Sequence, residues 1–142
     1  PSFKRNLSDQ FEARLAQVKI EKTNSVLLEN MEDWMVPVAS AHGEGRASFK
    51  NNDLIKLQAN NQVAMRFVDS VGEGSEIYPI NPNGSPEGIT GITAANGRIT
   101  IMMPHPERVF RKHQMSWHNK EWQEFSPWMQ IFINARNFSE GK

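Results

Sequence analysis

The stretch that most constrains the fold is a short apolar run that ends in a histidine bracketed by two prolines. Residues 99–103 have the isoleucine and threonine content that favours a strand. Pro104 has a fixed φ and no N–H, and Pro106 disfavours helical backbone at the residue before it. The sequence therefore predicts a strand that runs into an extended segment around His105.

The same stretch contains a candidate catalytic pair. Side chains two apart on an extended chain point to the same side, so we expect His105 and Glu107 to be neighbours at the end of the strand. A carboxylate beside an imidazole can accept its N–H, fix its tautomer and stabilise the imidazolium. These are the base and the orienting group of a nucleophilic triad. The alternative is a proline-stiffened surface turn with a solvated His and Glu, and this stretch alone favours the turn.

Composition and charge exclude several classes of function. The 142 residues fit one domain with a real core. Sixteen basic residues balance sixteen acidic ones, so nothing suggests nucleic acid or an anionic membrane as a partner. No apolar run is long enough to cross a bilayer, and the N-terminus lacks the apolar segment of a signal peptide. The first residue is Pro1, so we expect a fragment or a processed chain.

The chain contains no cysteine. This excludes disulfides, thiolate metal sites and a cysteine nucleophile within these residues, and it is consistent with a cytosolic protein. His42, His105, His113 and His118 lack the spacing of metal ligands, so no metal site is predicted. The common glycine-rich phosphate loops are also missing.

A second candidate site is the pentapeptide His42-Gly43-Glu44-Gly45-Arg46. Its two glycines would let a ligand approach the backbone closely, and exposed N–H groups there could hold a carboxylate or a carbonyl oxygen. Glu44 and Arg46 add one charge of each sign, which would suit a zwitterion. The alternative, which the sequence alone favours, is a glycine-containing turn with a solvated charge pair.

Most of the chain predicts short strands joined by polar turns. Alternation and β-branched content predict strands at residues 11–20, 35–41, 62–69, 89–93 and 99–103. We expect a bulge near Leu15 in the first strand, where the apolar face switches, and an edge position for the second, which contains Pro37. Asn83-Gly84 and Asn96-Gly97 are hairpin-type turn signals.

Two helices complete the predicted elements. Asn52 and Asp53 can cap a short helix over residues 54–58. Ser126-Pro127 begins a C-terminal helix that extends to about Asn137. Its apolar residues recur at helical spacing and are expected to pack in the core: Trp128, Ile131, Phe132, Ala135 and Phe138.

Five groups of motifs stand in order along the chain. They are Arg5-Asn6-x-Ser8 with Gln10-Phe11-Glu12-Ala13-Arg14; Ala41-His42-Gly43-Glu44-Gly45-Arg46; Tyr78-Pro79 with Asn81-Pro82-Asn83-Gly84-Ser85; Met103-Pro104-His105-Pro106-Glu107-Arg108; and Ser126-Pro127-Trp128 with Asn134-Ala135-Arg136. Together they closely resemble the C-terminal end of the phosphoribosylformylglycinamidine synthase family, in its large single-chain form with a fused glutaminase domain. The resemblance runs over essentially the whole chain.

The resemblance implies a fold and a set of site residues. Residues 1–142 would be the C-terminal part of a class I glutamine amidotransferase domain, which is a flavodoxin-like α/β domain, strand-rich here and ending in a helix. In that family a cysteine attacks the glutamine amide, and the His and Glu that complete the triad match His105 and Glu107. The stretch that lines the glutamine pocket matches His42, Gly43 and Glu44.

The resemblance also implies a larger protein. Ammonia would pass to an upstream synthetase domain of the same chain, where ATP and Mg²⁺ activate formylglycinamide ribonucleotide in purine biosynthesis. No cofactor is expected within these residues. The family's cysteine elbow and oxyanion hole lie N-terminal to the matched region, so we expect a fragment that is inactive alone. A second departure is Asn30-Met31-Glu32-Asp33-Trp34, which replaces a glycine-containing turn of the family.

Two other functions stay open. The first is a glutamine-binding or scaffold module without chemistry, as a degenerate amidotransferase would be. The second is a hydrolase of a related α/β class that uses a serine. No Gly-x-Ser-x-Gly elbow surrounds Ser40, Ser85, Ser116 or Ser126, which argues against the hydrolase.

Overall fold

The computed structural model describes all residues from Pro1 to Lys142. The strands are β1 (Ser2–Lys4), β2 (Glu12–Ile20), β3 (Met35–His42), β4 (Arg46–Ser48), β5 (Val63–Phe67), β6 (Ile89–Ala94) and β7 (Ile99–Met102). The helices are α1 (Asp53–Ala59) and α2 (Met129–Ser139), and four single turns of 3₁₀ helix lie in three of the connections. Neither helix has the length and apolar character needed to cross a membrane. The predicted strand-rich α/β fold with a C-terminal helix is confirmed.

Five strands form one antiparallel sheet in the order β3-β2-β5-β6-β7, and β1 pairs with β4 in a separate two-stranded sheet. The edge position predicted for β3 is confirmed; Pro37 has no N–H to give to a neighbouring strand. β2 and β3 pair without interruption from Glu12 to Lys19 of β2. The bulge predicted near Leu15 is therefore wrong. Leu15 is partly buried and packs against the core although it lies on the opposite face from Ala16.

The main core lies between one face of β2 and β3 and the start of α2. Its largest fully buried side chains include Trp128, Phe67 and Ile20. The indole Nε1 of Trp128 donates a hydrogen bond of 2.8 Å to the carbonyl of Pro37. A buried indole N–H needs such a partner, so this bond ties the first turn of α2 to the edge strand.

Of the five apolar side chains that the C-terminal helix was predicted to pack in the core, two are buried. Trp128 and Ile131 are buried, but Phe132 is 43% and Phe138 is 51% exposed, and Ala135 is exposed as well. The helix therefore packs along the face of Trp128 and Ile131 rather than along the whole stripe.

Asn134 is the polar residue that continues the buried face of α2. Its side-chain amide donates to the carbonyls of Leu27 and Glu29, both at 2.9 Å. These carbonyls belong to a 3₁₀ turn at Val26–Leu28 and its C-terminal residue. The helix contacts a turn with unpaired carbonyls at this point, so an amide fits the position better than a further apolar side chain would.

The loop at residues 30–34 reaches left-handed backbone without glycine. Asn30 has φ 61° and Asp33 has φ 62°. Asn and Asp are the non-glycine residues that adopt this region most readily. The loop therefore takes its left-handed backbone from two short polar side chains rather than from glycine.

The hairpin of β6 and β7 leads directly to His105, in the first candidate site. Its turn contains Asn96 and Gly97, both at positive φ, as predicted from the Asn-Gly signal. At the other end, the N–H of Met103 donates to the carbonyl of Thr90 at 3.1 Å. The sheet therefore fixes the chain up to two residues before His105.

Candidate active site

His105 and Glu107 are in direct contact. Nδ1 of His105 lies 2.8 Å from Oε1 of Glu107. The contact expected from the sequence is present, but the backbone is not extended throughout, because Pro106–Arg108 forms one turn of 3₁₀ helix. His105 itself stays outside helical backbone, with φ −112° and ψ 80°, as the proline after it requires.

The hydrogen bond determines which ring nitrogen of His105 is available for chemistry. A carboxylate only accepts, so Nδ1 carries the proton and donates it to Glu107. Nε2 then keeps its lone pair and can accept a proton. The side chain of His105 is 28% exposed and that of Glu107 is 55% exposed, so the pair is reachable from solvent.

β3 holds His105 from the side. The backbone N–H of His105 donates to the carbonyl of Ala39 at 2.7 Å, and the two residues form an isolated antiparallel bridge. The carbonyl of His105 accepts the N–H of Arg108 at 3.1 Å. The backbone N–H and carbonyl of His105 are thus both hydrogen-bonded, which fixes the backbone that carries its ring.

His42, from the second candidate site, lies beside His105. The centroids of the two rings are 6.2 Å apart and their planes are tilted by 42°. His42 ends β3 and is only 8% exposed. Its Nε2 lies 2.9 Å from Nδ2 of Asn83 and 3.3 Å from Oγ of Ser40. The fold thus brings together two histidines that are far apart in the sequence.

Asn6 holds the turn that follows His42. Its Nδ2 donates to the backbone carbonyl of His42 and its Oδ1 accepts the N–H of Gly45, both at 2.9 Å. Its own N–H donates to the carbonyl of Gly43 at 2.8 Å. Nδ2 of Asn83 also donates to Oδ1 of Asn6, at 2.8 Å. We call Asn6, His42 and Asn83 the amide cluster.

The hydrogen-bond directions in the amide cluster fix the tautomer of His42. Oδ1 of Asn6 must be an acceptor because it takes a backbone N–H, so Asn83 presents its NH₂ group to both Asn6 and His42. Nε2 of His42 therefore accepts, and the ring proton is on Nδ1. Nδ1 is buried and has no hydrogen-bond partner.

The surroundings disfavour the charged form of His42. Burial lowers the pKa of His42 below its usual value, and the neighbouring His105 lowers it further. Glu12, which faces His42 across the β2–β3 ladder, acts in the opposite direction. The net effect is a lowered pKa.

Glu44 and Arg46 are the charged residues of the pentapeptide. Glu44 is exposed and forms no ion pair, while Arg46 lies in β4 opposite Lys4. That their two charges suit a zwitterion stays a prediction. The N–H groups of Gly43 and Glu44 make no hydrogen bond within the chain, so the turn also offers two backbone donors.

Asn83 belongs to the site although the sequence predicted only a turn at this position. Asn83-Gly84 has the predicted turn character, with φ 73° at Gly84, but it joins no pair of strands. Asn83 is fully buried, and its side chain contacts Asn6 and His42. Its position in a turn-rich stretch gave no signal for this contact.

A buried charged group lies on β2 next to the site. Glu12 is only 2% exposed, and its Oε2 pairs with Nη2 of Arg14 at 2.5 Å. The same Nη2 donates to the hydroxyl of Tyr78 at 2.8 Å. The sequence placed Glu12 and Arg14 in a motif but predicted no role for them. The observation that could have singled them out is that two charged residues share the face of the strand that is otherwise apolar.

His105 and Glu107 do not line the cavity of about 680 Å³, and the chain contains no cluster of metal ligands. A cavity of about 680 Å³ is lined by Arg14, Met35 and Ile80 among others, and neither His105 nor Glu107 lines it. No group of three or more His, Asp and Glu side chains could hold a metal ion. The site is therefore recognised by its hydrogen bonds.

Comparisons with known proteins agree with the fold. Residues 1–139 match the family model described as a CobB/CobQ-like glutamine amidotransferase domain. A solved structure described as PurLQS from Thermotoga maritima superposes with a TM-score of 0.70 at 21% sequence identity. The match covers 97% of this chain and 52% of that chain, so this chain spans about half the length of the structure it resembles.

Proposed function

The chain belongs to the CobB/CobQ-like glutamine amidotransferase domain family, and from this premise we propose that it supplies the general base of a glutaminase. Residues 1–142 are then the C-terminal part of the glutaminase domain. The nucleophile is a cysteine upstream of these residues, which contain none. The observation that supports this most directly is the 2.8 Å contact between Nδ1 of His105 and Oε1 of Glu107.

The proposed chemistry uses the two ring nitrogens of His105 differently. Nε2 takes the proton of the cysteine thiol, and the thiolate attacks the carboxamide carbon of glutamine. The C–N bond then breaks, and Nε2 returns the proton to the leaving ammonia. Water hydrolyses the thioester to glutamate. Glu107 holds Nδ1–H throughout and offsets the charge of the imidazolium.

We assign glutamine binding to the turn at His42, Gly43 and Glu44. The free N–H groups of Gly43 and Glu44 suit a carboxylate or carbonyl oxygen of the substrate. Asn6 supports this assignment because it fixes the turn on both sides of Glu44. The backbone, rather than the exposed side chain of Glu44, is the proposed contact.

The destination of the ammonia follows from the motif resemblance. We propose that it serves the conversion of formylglycinamide ribonucleotide to the amidine in a synthetase domain upstream in the same protein, within the cytoplasm. ATP and Mg²⁺ belong to that domain. No residue among these 142 is assigned to either cofactor.

The test is a comparison of two ammonia sources in the intact parent protein. His105→Ala is expected to abolish turnover driven by glutamine and to spare turnover driven by added ammonia. The control is His113→Ala, which changes an exposed histidine in another turn and should leave both activities intact. Equal loss of both activities in His105→Ala would contradict the proposal that His105 serves glutamine hydrolysis and not the ammonia-driven reaction. Glutamine binding without hydrolysis by the wild type would indicate a module without chemistry.

A further inference from the structure

We propose that an exposed apolar surface beside the candidate active site is where the synthetase domain of the parent protein docks. We call it the docking surface, and it consists of five exposed side chains: Leu7, Phe11, Ile77, Tyr78 and Ile80. The inference rests on the proposed function, in which ammonia released at His105 passes to that domain. It goes beyond that function by naming the residues that contact the receiving domain.

The docking surface is formed by two segments that are distant in the sequence. Residues of both segments, Leu7 and Tyr78 among them, line a cavity of about 390 Å³. Pro79 and Ile80 also line the cavity of about 680 Å³. Contiguous exposed apolar side chains are uncommon on the surface of a monomer and typical of an interaction site. The two cavities would accept side chains of a docked domain.

The loop around Tyr78 is held in place by a buried amide. The side chain of Asn81 is fully buried, and its Nδ2 donates to the carbonyls of Ser75 and Ser85 at 2.9 and 2.8 Å. The loop therefore presents its apolar side chains in a fixed arrangement. Such pre-organisation lowers the entropic cost of association, because less freedom is lost when the partner docks.

The side chain of Tyr78 is exposed, yet Arg14 fixes its orientation. Nη2 of Arg14 donates to the hydroxyl of Tyr78 at 2.8 Å, and the guanidinium carbon lies 5.1 Å from the centroid of the ring. The guanidinium is in turn paired with the buried carboxylate of Glu12. Tyrosine and arginine are enriched among the residues that dominate interface energies. This oriented pair therefore has the composition of an interface anchor.

The docking surface adjoins the turn that is proposed to bind glutamine. Leu7 follows Asn6, whose backbone N–H donates to the carbonyl of Gly43 at 2.8 Å. The N–H of Leu7 donates at 3.1 Å to the carbonyl of Asn83, which is a member of the amide cluster. A domain that covers the docking surface would therefore also border the glutaminase site.

The chemistry of ammonia favours the synthetase domain as the occupant. Ammonia that escapes into neutral water is protonated and loses its nucleophilic lone pair, so the receiving domain has to exclude solvent beside the glutaminase site. The structure that this chain resembles is about twice as long, so further parts of the parent protein have to pack against these residues. Among exposed apolar side chains, those of the docking surface lie next to the proposed glutamine turn.

The first test identifies what contacts the docking surface in the full-length parent protein. A photo-reactive phenylalanine analogue is incorporated in place of Phe11, and the cross-linked peptides are identified by mass spectrometry. We expect cross-links to the synthetase domain. The control carries the same analogue in place of Ile55, which is exposed on α1 and lines neither cavity. Cross-links from position 11 to another part of the glutaminase domain or to a second copy would overturn the proposal, as would a yield no higher than the control.

The second test measures the transfer of ammonia. Ile77→Asp places a charge in the docking surface, and Ile55→Asp is a matched control because the two isoleucines are 70% and 65% exposed. We expect the amount of amidine formed per glutamine hydrolysed to fall about two- to tenfold in Ile77→Asp. The ratio should be unchanged in Ile55→Asp. An unchanged ratio in Ile77→Asp, or an equal fall in both variants, would overturn the proposal.

The two tests separate this proposal from the proposed function. If the wild type does not hydrolyse glutamine, the proposed function fails, while the cross-links from position 11 still decide what covers the docking surface. If the wild type hydrolyses glutamine and position 11 does not reach the synthetase domain, the docking proposal fails and the proposed function stands.

Discussion

The imidazole rings of His42 and His105 lie with their centroids 6.2 Å apart in surroundings of opposite character. Nδ1 of His105 contacts a carboxylate, and its ring is partly open to solvent. Nε2 of His42 lies within hydrogen-bond distance of the amide of Asn83 and the hydroxyl of Ser40, neither of which carries charge. One ring therefore has a carboxylate as its hydrogen-bond partner, whereas the other has only uncharged hydrogen-bond partners.

The neutral state of His42 predicts a pH dependence of stability. Burial lowers the pKa of folded His42 below its ordinary value of 6.5, so the unfolded chain binds the proton first as the pH falls. The stabilisation is fully present above the ordinary value and is lost as the pH falls through the folded pKa, with a slope of at most about 1.4 kcal/mol per pH unit.

Denaturant unfolding of wild type and His42→Asn between about pH 5 and pH 8 measures this slope, since only the wild type has the titrating ring. Glu12 and His105 face the ring and are the same in both proteins. Parallel curves for the two proteins would contradict the assignment.

Glu107 is expected to contribute charge as well as orientation. Glu107→Gln keeps an oxygen that can accept Nδ1–H of His105 but removes the counter-charge of the imidazolium. The loss of glutaminase kcat should therefore be smaller than that of His105→Ala, for which removal of a general base costs roughly 10²- to 10⁴-fold.

The measurement is steady-state glutaminase kcat of both variants in the intact protein. Glu124→Gln, which changes an exposed carboxylate paired with Arg111, serves as the control. A loss in Glu107→Gln as large as that in His105→Ala would show that orientation by an oxygen does not suffice.

Two glycines of the same turn should respond differently to a methyl group. Gly45→Ala forces a Cβ into His42 and Asn83, and we expect a loss of about 1–3 kcal/mol in the free energy of unfolding. A Cβ at Gly43 meets no atom within 4 Å, so Gly43→Ala should stay within about 0.5 kcal/mol of wild type. Both changes share the same effect on the unfolded chain, so the difference between their unfolding free energies isolates the packing. Equal stabilities would refute the tight enclosure of His42.

Two asparagines of α2 provide a similar matched pair. Asn134→Ala leaves the carbonyls of Leu27 and Glu29 without their buried donor, which should cost about 1–3 kcal/mol of unfolding free energy. Asn137 is less buried and its side chain makes no hydrogen bond, so Asn137→Ala should be neutral or slightly stabilising through helix propensity. Thermal and denaturant unfolding compare the two. A neutral Asn134→Ala would mean that water replaces the lost donor.

The parts of the structure that sequence could predict are those with local causes. The contact of His105 with Glu107 was predicted from their two-residue spacing, and it is made through a 3₁₀ turn at Pro106–Arg108 rather than through the expected extended segment. The edge position of β3 follows from the missing N–H of Pro37, and the hairpin turn at Asn96 and Gly97 from their tolerance of positive φ. Each of these features is set within a few residues.

The parts that sequence could not predict depend on distant partners. Asn6 and Asn83 are 77 residues apart, and their contact leaves no periodic pattern in either segment. The exposure of Phe138 and burial of Asn134 likewise depend on the turn that α2 meets. Helical spacing identifies a face of the helix but does not identify what covers it.

The outer edge of β3 has a consequence for self-association. Edge strands with a free row of backbone groups invite pairing with another chain. Here Pro37 offers no N–H, its carbonyl is taken by the indole of Trp128, and the carbonyl of Ala39 is taken by His105. A foreign strand would find no continuous template along this stretch, so β7 is the edge at which the sheet can grow. The backbone bond that fixes His105 thus also occupies an acceptor at the β3 edge and disfavours pairing with another chain there.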